Sequence, residues 1–400
     1  MDTEPQASVL RQIPRSVWIL GCVSLLMDVS SEIIHSLLPM FLMASLGASA
    51  ATIGIIEGIA EATAPVVKLF SGALSDYLGN RKWLAVAGYG LGALSKPLFA
   101  VASTVGVVVT ARIVDRVGKG IRGAPRDALI ADVTPSQLRG AAFGLRQSLD
   151  TVGAFLGPLL AVLIMLRWVD DFRLAFRLAV IPGLIAVALL TFGIKEPVWE
   201  PGAKQRNPAR WHNLRQLGAN YWWVVAVGTF FALARFSDAF LVLRAMKSGV
   251  PVALVPLVMF AMNVVFAAAA YPFGKLADSM SHFRLLIAGL AVLIAADIVL
   301  ANANQWSIVV VGVAIWGLHM GITQGLLSTM VSRTAPAQLR GTAFGFFNLL
   351  GGLGTLVASL VAGELWDRFG PAATFYASAV FCLVTVVLMC VGRATALGFE

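Results

Sequence analysis

The sequence predicts an all-α integral membrane protein whose twelve membrane-spanning helices form two six-helix halves. Three observations predict it. The 400 residues are 58% hydrophobic and 13% charged with a mean hydropathy of +0.82, whereas soluble domains carry about 25% charged residues. Nearly all of the chain falls into apolar runs of about 20 residues, each sufficient to cross a ~30 Å hydrocarbon layer as a helix. The segment TPSQLRGAAFG at 134–144 returns as APAQLRGTAFG at 335–345 with eight positions identical, the mark of an internal duplication.

Apolar windows place the spans near 17–43, 50–74, 83–102, 104–126, 141–166, 173–194, 219–244, 252–275, 284–302, 306–331, 341–363 and 371–392. The first follows a polar start, MDTEPQASVLRQIPR, and is too long for a signal-peptide core, so it is expected to remain in the protein. Most connections are short, but 195–218 (KEPVWEPGAKQRNPARWHNLRQLG) is long, basic and contains proline. It reads as the linker between a first half at 1–194 and a second at 219–400. With the N-terminus in the cytoplasm, inner loops hold most of the Arg and Lys, including Arg15, Arg81, Lys82, Arg126, Arg139, Arg210, Arg340 and Arg393, while outer loops hold few. Both termini are therefore expected in the cytoplasm, in a cell (inner) membrane. The net charge of +9 belongs to these loops and implies no nucleic-acid partner. The three cysteines lie in apolar stretches without metal-ligand spacing, so neither disulfides nor a metal is expected.

Gly72, Leu74 and Asp76 also return as Gly274, Leu276 and Asp278. Two six-helix halves with GALSDYLGNRK at 72–82 resemble the major facilitator superfamily, whose loop signature there is Gly-x-x-x-Asp-Arg/Lys-x-Gly-Arg-Arg/Lys-Arg/Lys. Gly72, Asp76, Gly79, Arg81 and Lys82 match it, while Tyr77 and Asn80 stand where the family has basic residues. The resemblance covers the whole chain and implies the family's fold, with this loop latching the halves on the cytoplasmic side. Gly274 and Asp278 are its echo in the second half. Arg139 and Arg340 match the family's Pro-Glu-x-x-Arg-Gly pattern with Ser136 and Ala337 in place of Glu, and a gating role follows by resemblance. In the fifth span Gly144, Gly153, Gly157 and Pro158 are similar to the antiporter motif of the family's drug exporters, with Ala161 and Val162 replacing its last glycines. That resemblance favours export. Physically, small residues at this spacing let helices pack closely and Pro158 bends the span.

Ionisable residues inside spans are costly, so each is expected to face a cavity or a partner. In the first span Asp28, Glu32 and His35 share one face by their 4-then-3 spacing, as do Glu57, Glu61 and Lys68 in the second. The fourth span carries Arg112, Asp115, Arg116 and Lys119, and the fifth an i,i+4 pair, Arg146 and Asp150. Asp28, Glu61, Arg112 and Arg116 lie roughly 12 to 18 Å deep, near the midplane. A carboxylate beside an arginine can be paired and ionised or released and protonated, which makes these groups candidates for proton coupling. Asp28 and Glu32 are read as the titrating acids and Arg112 as the base competing for them, with Glu57 and Glu61 as relay or cargo groups. The family's Arg-x-x-Gln-Gly motif fits Arg116 to Gly120, so Arg116 remains the alternative coupling arginine.

The second half is aromatic and sparsely charged: Arg235, Phe236 and Asp238 in the seventh span, Asn263 in the eighth, Asp297 in the ninth, and Trp316 and His319 in the tenth. Candidate cargo contacts are His35, Glu57, Lys119, Arg146 and Asp150 from the first half, with Arg235, Phe236, Asp238, Asn263 and Trp316 from the second. A charged wall facing an aromatic one suits an amphipathic organic cargo. HExxH, GxSxG and the phosphate-binding Gly-x4-Gly-Lys-Ser/Thr loop are all absent from the sequence, so it predicts neither an enzyme nor an ATP-driven pump. The expected function is secondary active transport by a monomer without a cofactor, most simply proton-driven export of a small organic molecule. Proton-coupled import, transport of an organic anion such as a carboxylate or siderophore-like compound, and a non-transporting sensor are the alternatives.

Overall fold

The structure, a computed structural model, describes residues 12–78, 80–168, 171–196, 217–336 and 339–394. The side chains at 73, 76, 278, 341, 393 and 394 lie outside that description, as does most of the 195–218 linker. The first half comprises α1 (Arg15–Met40), α2 (Ala50–Leu78), α3 (Arg81–Val101), α4 (Val105–Val133), α5 (Arg139–Arg167) and α6 (Phe172–Gly193). The second comprises α7 (Ala219–Leu233), α8 (Ala239–Lys247), α9 (Leu257–Ser279), α10 (His282–Ala301), α11 (Trp306–Thr323), α12 (Leu326–Thr334), α13 (Arg340–Phe369) and α14 (Pro371–Ala394). The pairs α7 with α8 and α11 with α12 each make one crossing, so the chain crosses twelve times and the described residues begin and end on one side, the terminal face. Ten helical segments among the described residues cross by length and hydropathy alone. The fourth crossing escapes that criterion because α4 carries so many charges, and the seventh because it is broken.

Local sequence sets the helix starts. Asn80 Oδ1 accepts from Trp83 N, Thr104 Oγ1 from Val107 N, Asp171 Oδ1 from Leu174 N and Ser281 Oγ from Arg284 N, each satisfying a backbone donor that the first turn leaves free. The far end of α10 is closed differently. The Arg244 guanidinium donates to the carbonyls of Leu300, Ala301 and Ala303 at 2.8 to 3.2 Å, as a cation at a helix C-terminus should.

The seventh and tenth spans, expected as continuous helices over 219–244 and 306–331, are interrupted. The tenth breaks at Gln324 and Gly325, where Gly325 adopts φ +76°, a conformation that glycine alone takes without strain. The seventh breaks over residues 234–238 without glycine or proline. Its freed backbone groups are met by distant side chains: Ser359 Oγ accepts from Ser237 N at 3.2 Å, and Ser378 Oγ lies 2.7 Å from the Ala234 carbonyl oxygen. Irregular backbone at this depth is tolerated only when it is so satisfied or faces a cavity.

Small residues bring the helices together. A Cβ on Gly118 of α4 would lie 2.6 Å from the Gly88 carbonyl of α3, and one on Gly153 of α5 would lie 2.8 Å from the Leu25 carbonyl of α1. A Cβ on Gly157 would overlap Glu32 Cβ, so both glycines pack on the acid-bearing face of α1. Gly144 corrects the reading of that motif: a side chain there would meet nothing within 4 Å, because Gly144 lies on the exposed face of α5 while Ala142 beside it is buried in the first-half core.

The halves meet along α2 with α13, α5 with α9, and α1 with α8. Away from the terminal face they share one apolar core, with Leu37, Phe41 and Ile53 joined to Phe240, Trp366 and Phe375. Towards the terminal face the first half has its own core, built on Val17, Leu20, Val23, Tyr89, Leu129 and Leu190. The far side is therefore sealed by a core common to both halves, while towards the terminal side α2 and α13 stay in contact, a Cβ on Gly345 lying 2.6 Å from Leu69 Cδ1. Asp367 of α13 reinforces the closed side by accepting from Ala50 N and Ala51 N of α2 at 3.1 and 2.8 Å, a helix cap supplied by the other half. Asp367→Ala should remove about 0.5–2 kcal/mol from the closed arrangement. An Ile53→Cys reporter, fully buried in the closed form, should then react faster with a membrane-impermeant thiol reagent.

Candidate functional site

A cavity of about 460 Å³ sits between the halves at mid-depth. Glu32 and His35 of α1, Glu61 of α2, and Arg116 and Lys119 of α4 form its first wall. Phe231, Arg235, Phe236, Ser237 and Asp238, around the break in the seventh span, form the facing wall with Met259, Met262, Asn263 and Met320. The break is what turns consecutive residues inward: a continuous helix would spread them around its circumference.

Behind the first wall lies a chain of charged groups. Glu57 is fully buried and its Oε2 is 2.5 Å from Arg112 Nη2. His35 spans the distance from this pair to the cavity, with Nε2 3.6 Å from Glu57 Oε2 and Nδ1 3.6 Å from Glu32 Oε2. Ser237 of the second half donates to the same Glu57 Oε2 at 3.4 Å. One carboxylate thus holds an arginine of its own half and a hydroxyl of the other. Lower along α4, Arg116 pairs with Glu61 at 3.1 Å, and Lys96 Nζ donates to Asp115 Oδ1 at 2.7 Å and to Ser31 Oγ at 3.0 Å.

Several sequence expectations change. Arg112 faces Glu57, not Asp28 or Glu32, because α2 rather than α1 packs along that stripe of α4. Asp28 looks instead towards Arg122, 4.0 Å away, whose guanidinium stacks on Tyr89. Asp115, four residues before Lys119, is taken by Lys96, and Lys68 lies 3.8 Å from Asp127. Arg146 and Asp150 pair with each other at 2.8 Å but do not line the cavity, and neither do Glu57, Arg112 or Trp316. Trp316 is fully buried behind Phe236, ring centroids 5.3 Å apart. Asn263 is on the wall, and its amide is spent on the Ala154 carbonyl across the interface at 3.0 Å. Arg235 and Asp238 form no ion pair with each other; the Arg235 guanidinium sits 5.7 Å from the Phe231 ring centre.

The terminal-face loop is described in part. Gly79 and the Asp76 and Asp278 side chains lie outside the described residues. Arg81 pairs with Asp132 of its own half, Nη1 2.5 Å from Oδ2. The N–H groups of Arg81 and Lys82 donate to the Glu196 carboxylate, and Lys82 Nζ lies over Trp83. Gly72 packs near Ala124, Gly274 faces open space, and Arg139 and Arg340 open α5 and α13 as exposed residues. Among the described residues the halves are linked by Asp367 at the opposite end and, at mid-depth, by Ser237 on Glu57 and Asn263 on the Ala154 carbonyl. The residues that sequence reasoning missed are Ser237, Ser359 and Ser378: serines in apolar helices carry no signal of which distant carbonyl or amide they meet.

The chain matches the family model described as Major Facilitator Superfamily over residues 20–358 and 249–396. It is similar, at 30% identity over 95% of both chains, to an uncharacterised MFS-type transporter of Methanocaldococcus jannaschii. It is also similar, at 27% identity over 92% of this chain and 81% of the relative, to the inner membrane transport protein YajR of Escherichia coli. Among solved structures, a POT family transporter in complex with 5-aminolevulinic acid superposes with a TM-score of 0.78, covering 95% of this chain and 96% of that one at 12% identity, which speaks to the fold alone. With the twelve crossings, the duplicated halves and the family model in agreement, the chain belongs to the Major Facilitator Superfamily of membrane transporters.

Proposed function

We propose that this protein is a proton-coupled secondary transporter that moves a small amphipathic organic compound by rocking its two halves about the central cavity. The observation that carries the reading is Glu57. Ionised, it holds Arg112 and accepts from Ser237 of the other half; protonated, it loses the charge that binds Arg112 and one acceptor position. Proton arrival along Glu32 and His35 therefore weakens a contact that bridges the halves. This departs from the sequence expectation by placing the titrating role on Glu57 with Glu32, and leaves Asp28 facing Arg122, outside the cavity lining. What favours exchange of cargo against protons is the resemblance of Gly153, Gly157 and Pro158 to the exporters' antiporter motif, hence export from a cytoplasm on the terminal-face side, where the basic loops lie. A single chain supplies both walls of the cavity, so a monomer suffices.

A second reading concerns cargo charge. Glu61 and Glu32 have basic partners, whereas Lys119 and Arg235, on opposite walls, have no carboxylate within 4 Å among the described residues. Two unpaired cations against the single unpaired Asp238 favour an organic anion such as a carboxylate. The test is uptake of anionic, neutral and cationic amphiphiles into proteoliposomes. An anion should be preferred, and Lys119→Gln or Arg235→Gln should raise its KM about 10- to 100-fold, the worth of one charge-assisted hydrogen bond. Preference for a cation, unaffected by either substitution, would sink the anion reading while leaving transport intact.

A further inference from the structure

The cavity and its charge network leave one buried acid unused. Asp297 of α10 is fully buried in the second half, with no basic side chain within 4 Å among the described residues, and its Oδ1 meets no hydrogen-bond donor. Its Oδ2 lies 2.5 Å from Ser378 Oγ of α14. The same Ser378 Oγ lies 2.7 Å from the carbonyl oxygen of Ala234, the last residue before the break in the seventh span.

A serine hydroxyl has one proton to give. Both neighbours of Ser378 Oγ are oxygens that accept, and it sits within hydrogen-bond distance of each. If Asp297 were ionised, one of the two short oxygen contacts would bring lone pair against lone pair, in a region that also leaves Oδ1 without a donor. One proton on Oδ2 resolves both. Asp297 then donates to Ser378 Oγ, Ser378 donates to the Ala234 carbonyl, and the free Oδ1 is a neutral carbonyl oxygen, far cheaper to bury than half of a carboxylate.

The surrounding titratable groups leave this assignment standing. Cys382 lies one turn along α14 from Ser378, and Arg235 follows Ala234 but turns its guanidinium to Phe231. His319 of α11 has Nδ1 3.1 Å from the Gly289 carbonyl, so that nitrogen carries the proton and the ring approaches α10 about two turns from Asp297. None of these is an ion-pair partner of Asp297.

We propose that Asp297 is held as the neutral carboxylic acid and acts as a positioning residue, its proton anchoring the Ala234 carbonyl through Ser378 and so fixing the break that aims Arg235 and Asp238 into the cavity. The proposal concerns the second half and stands whether or not Glu57 is the coupling acid.

The experiment is infrared difference spectroscopy of the full-length protein in lipid at neutral pH, comparing wild type with Asp297→Asn. The wild type should show the carbonyl stretch of a protonated carboxylic acid, shifted by deuterium exchange and missing from the variant. Loss of a carboxylate band instead would overturn the proposal. Because asparagine can still donate to Ser378, Asp297→Asn should keep thermal stability and cargo KM near wild type. Asp297→Leu and Ser378→Ala, which break the relay, should raise KM about tenfold, the cost of an unmade buried hydrogen bond. An Asp297→Asn variant as impaired as Asp297→Leu would show that a negative charge is required, and an unimpaired Ser378→Ala would show that the relay positions nothing. Either result overturns the proposal, and the infrared band decides the protonation state even if Asp297→Leu fails to fold.

Discussion

Arg112→Ala should abolish proton-coupled transport and lower stability by about 3–5 kcal/mol, the usual cost of removing one partner of a buried ion pair. The side chains of Arg112 and Glu57 are 4% and 0% exposed, and without the guanidinium the carboxylate would retain only His35 and Ser237. The chain has a cheap escape, since the orphaned Glu57 can take up a proton. Adding Glu57→Gln to Arg112→Ala should therefore recover much of the thermal midpoint measured in detergent but none of the coupling. If Arg112→Ala alone melts like wild type, the pair is not the buried clamp described above.

Gly363→Val should prevent the far side from closing. A Cβ at Gly363 would lie 2.6 Å from the Ala50 carbonyl oxygen and 2.7 Å from Ala51 Cα, backbone atoms of α2 that cannot rotate away. Overpacking of this kind costs about 1–3 kcal/mol, enough to move a two-state equilibrium about 5- to 150-fold. Spin labels at Ser49 and Phe369, one on each half at that end, should report a longer distance in the variant. Gly54→Val, whose Cβ would overlap the Ser359 carbonyl oxygen, should act in the same direction. Folded variants with wild-type distances would mean that the α2 and α13 seam does not close the molecule.

Much of the architecture was legible in the sequence because membrane crossing imposes a length and a composition that local windows detect. The repeat of Gln-Leu-Arg-Gly and Ala-Phe-Gly fixed the correspondence of the halves. The breaks in the seventh and tenth spans were hidden for different reasons. Gly325 is a signal, but one easily lost where glycine is frequent in membrane helices. Residues 234–238 offer none, because the interruption is sustained by Ser359 and Ser378, more than 100 residues away in sequence. The charged residues were likewise easy to select and hard to pair. Spacing along α1, α2 and α4 gives the face each occupies, but the partner depends on which helices touch. That is why Arg112, expected to compete for Asp28 and Glu32, holds Glu57 instead, and why nothing in the spacing points Asp115 to Lys96 of α3.

Proton movement and cargo movement should be one process, joined at Glu57. The most direct measurement is simultaneous recording of cargo and of internal pH in proteoliposomes, with wild type beside Glu57→Gln and Glu32→Gln. Proton flux should run opposite to cargo in the wild type, and in Glu57→Gln cargo exchange should persist without proton flux. Cargo movement indifferent to pH, with Glu57→Gln behaving as wild type, would contradict it and reduce the buried charges to a structural network.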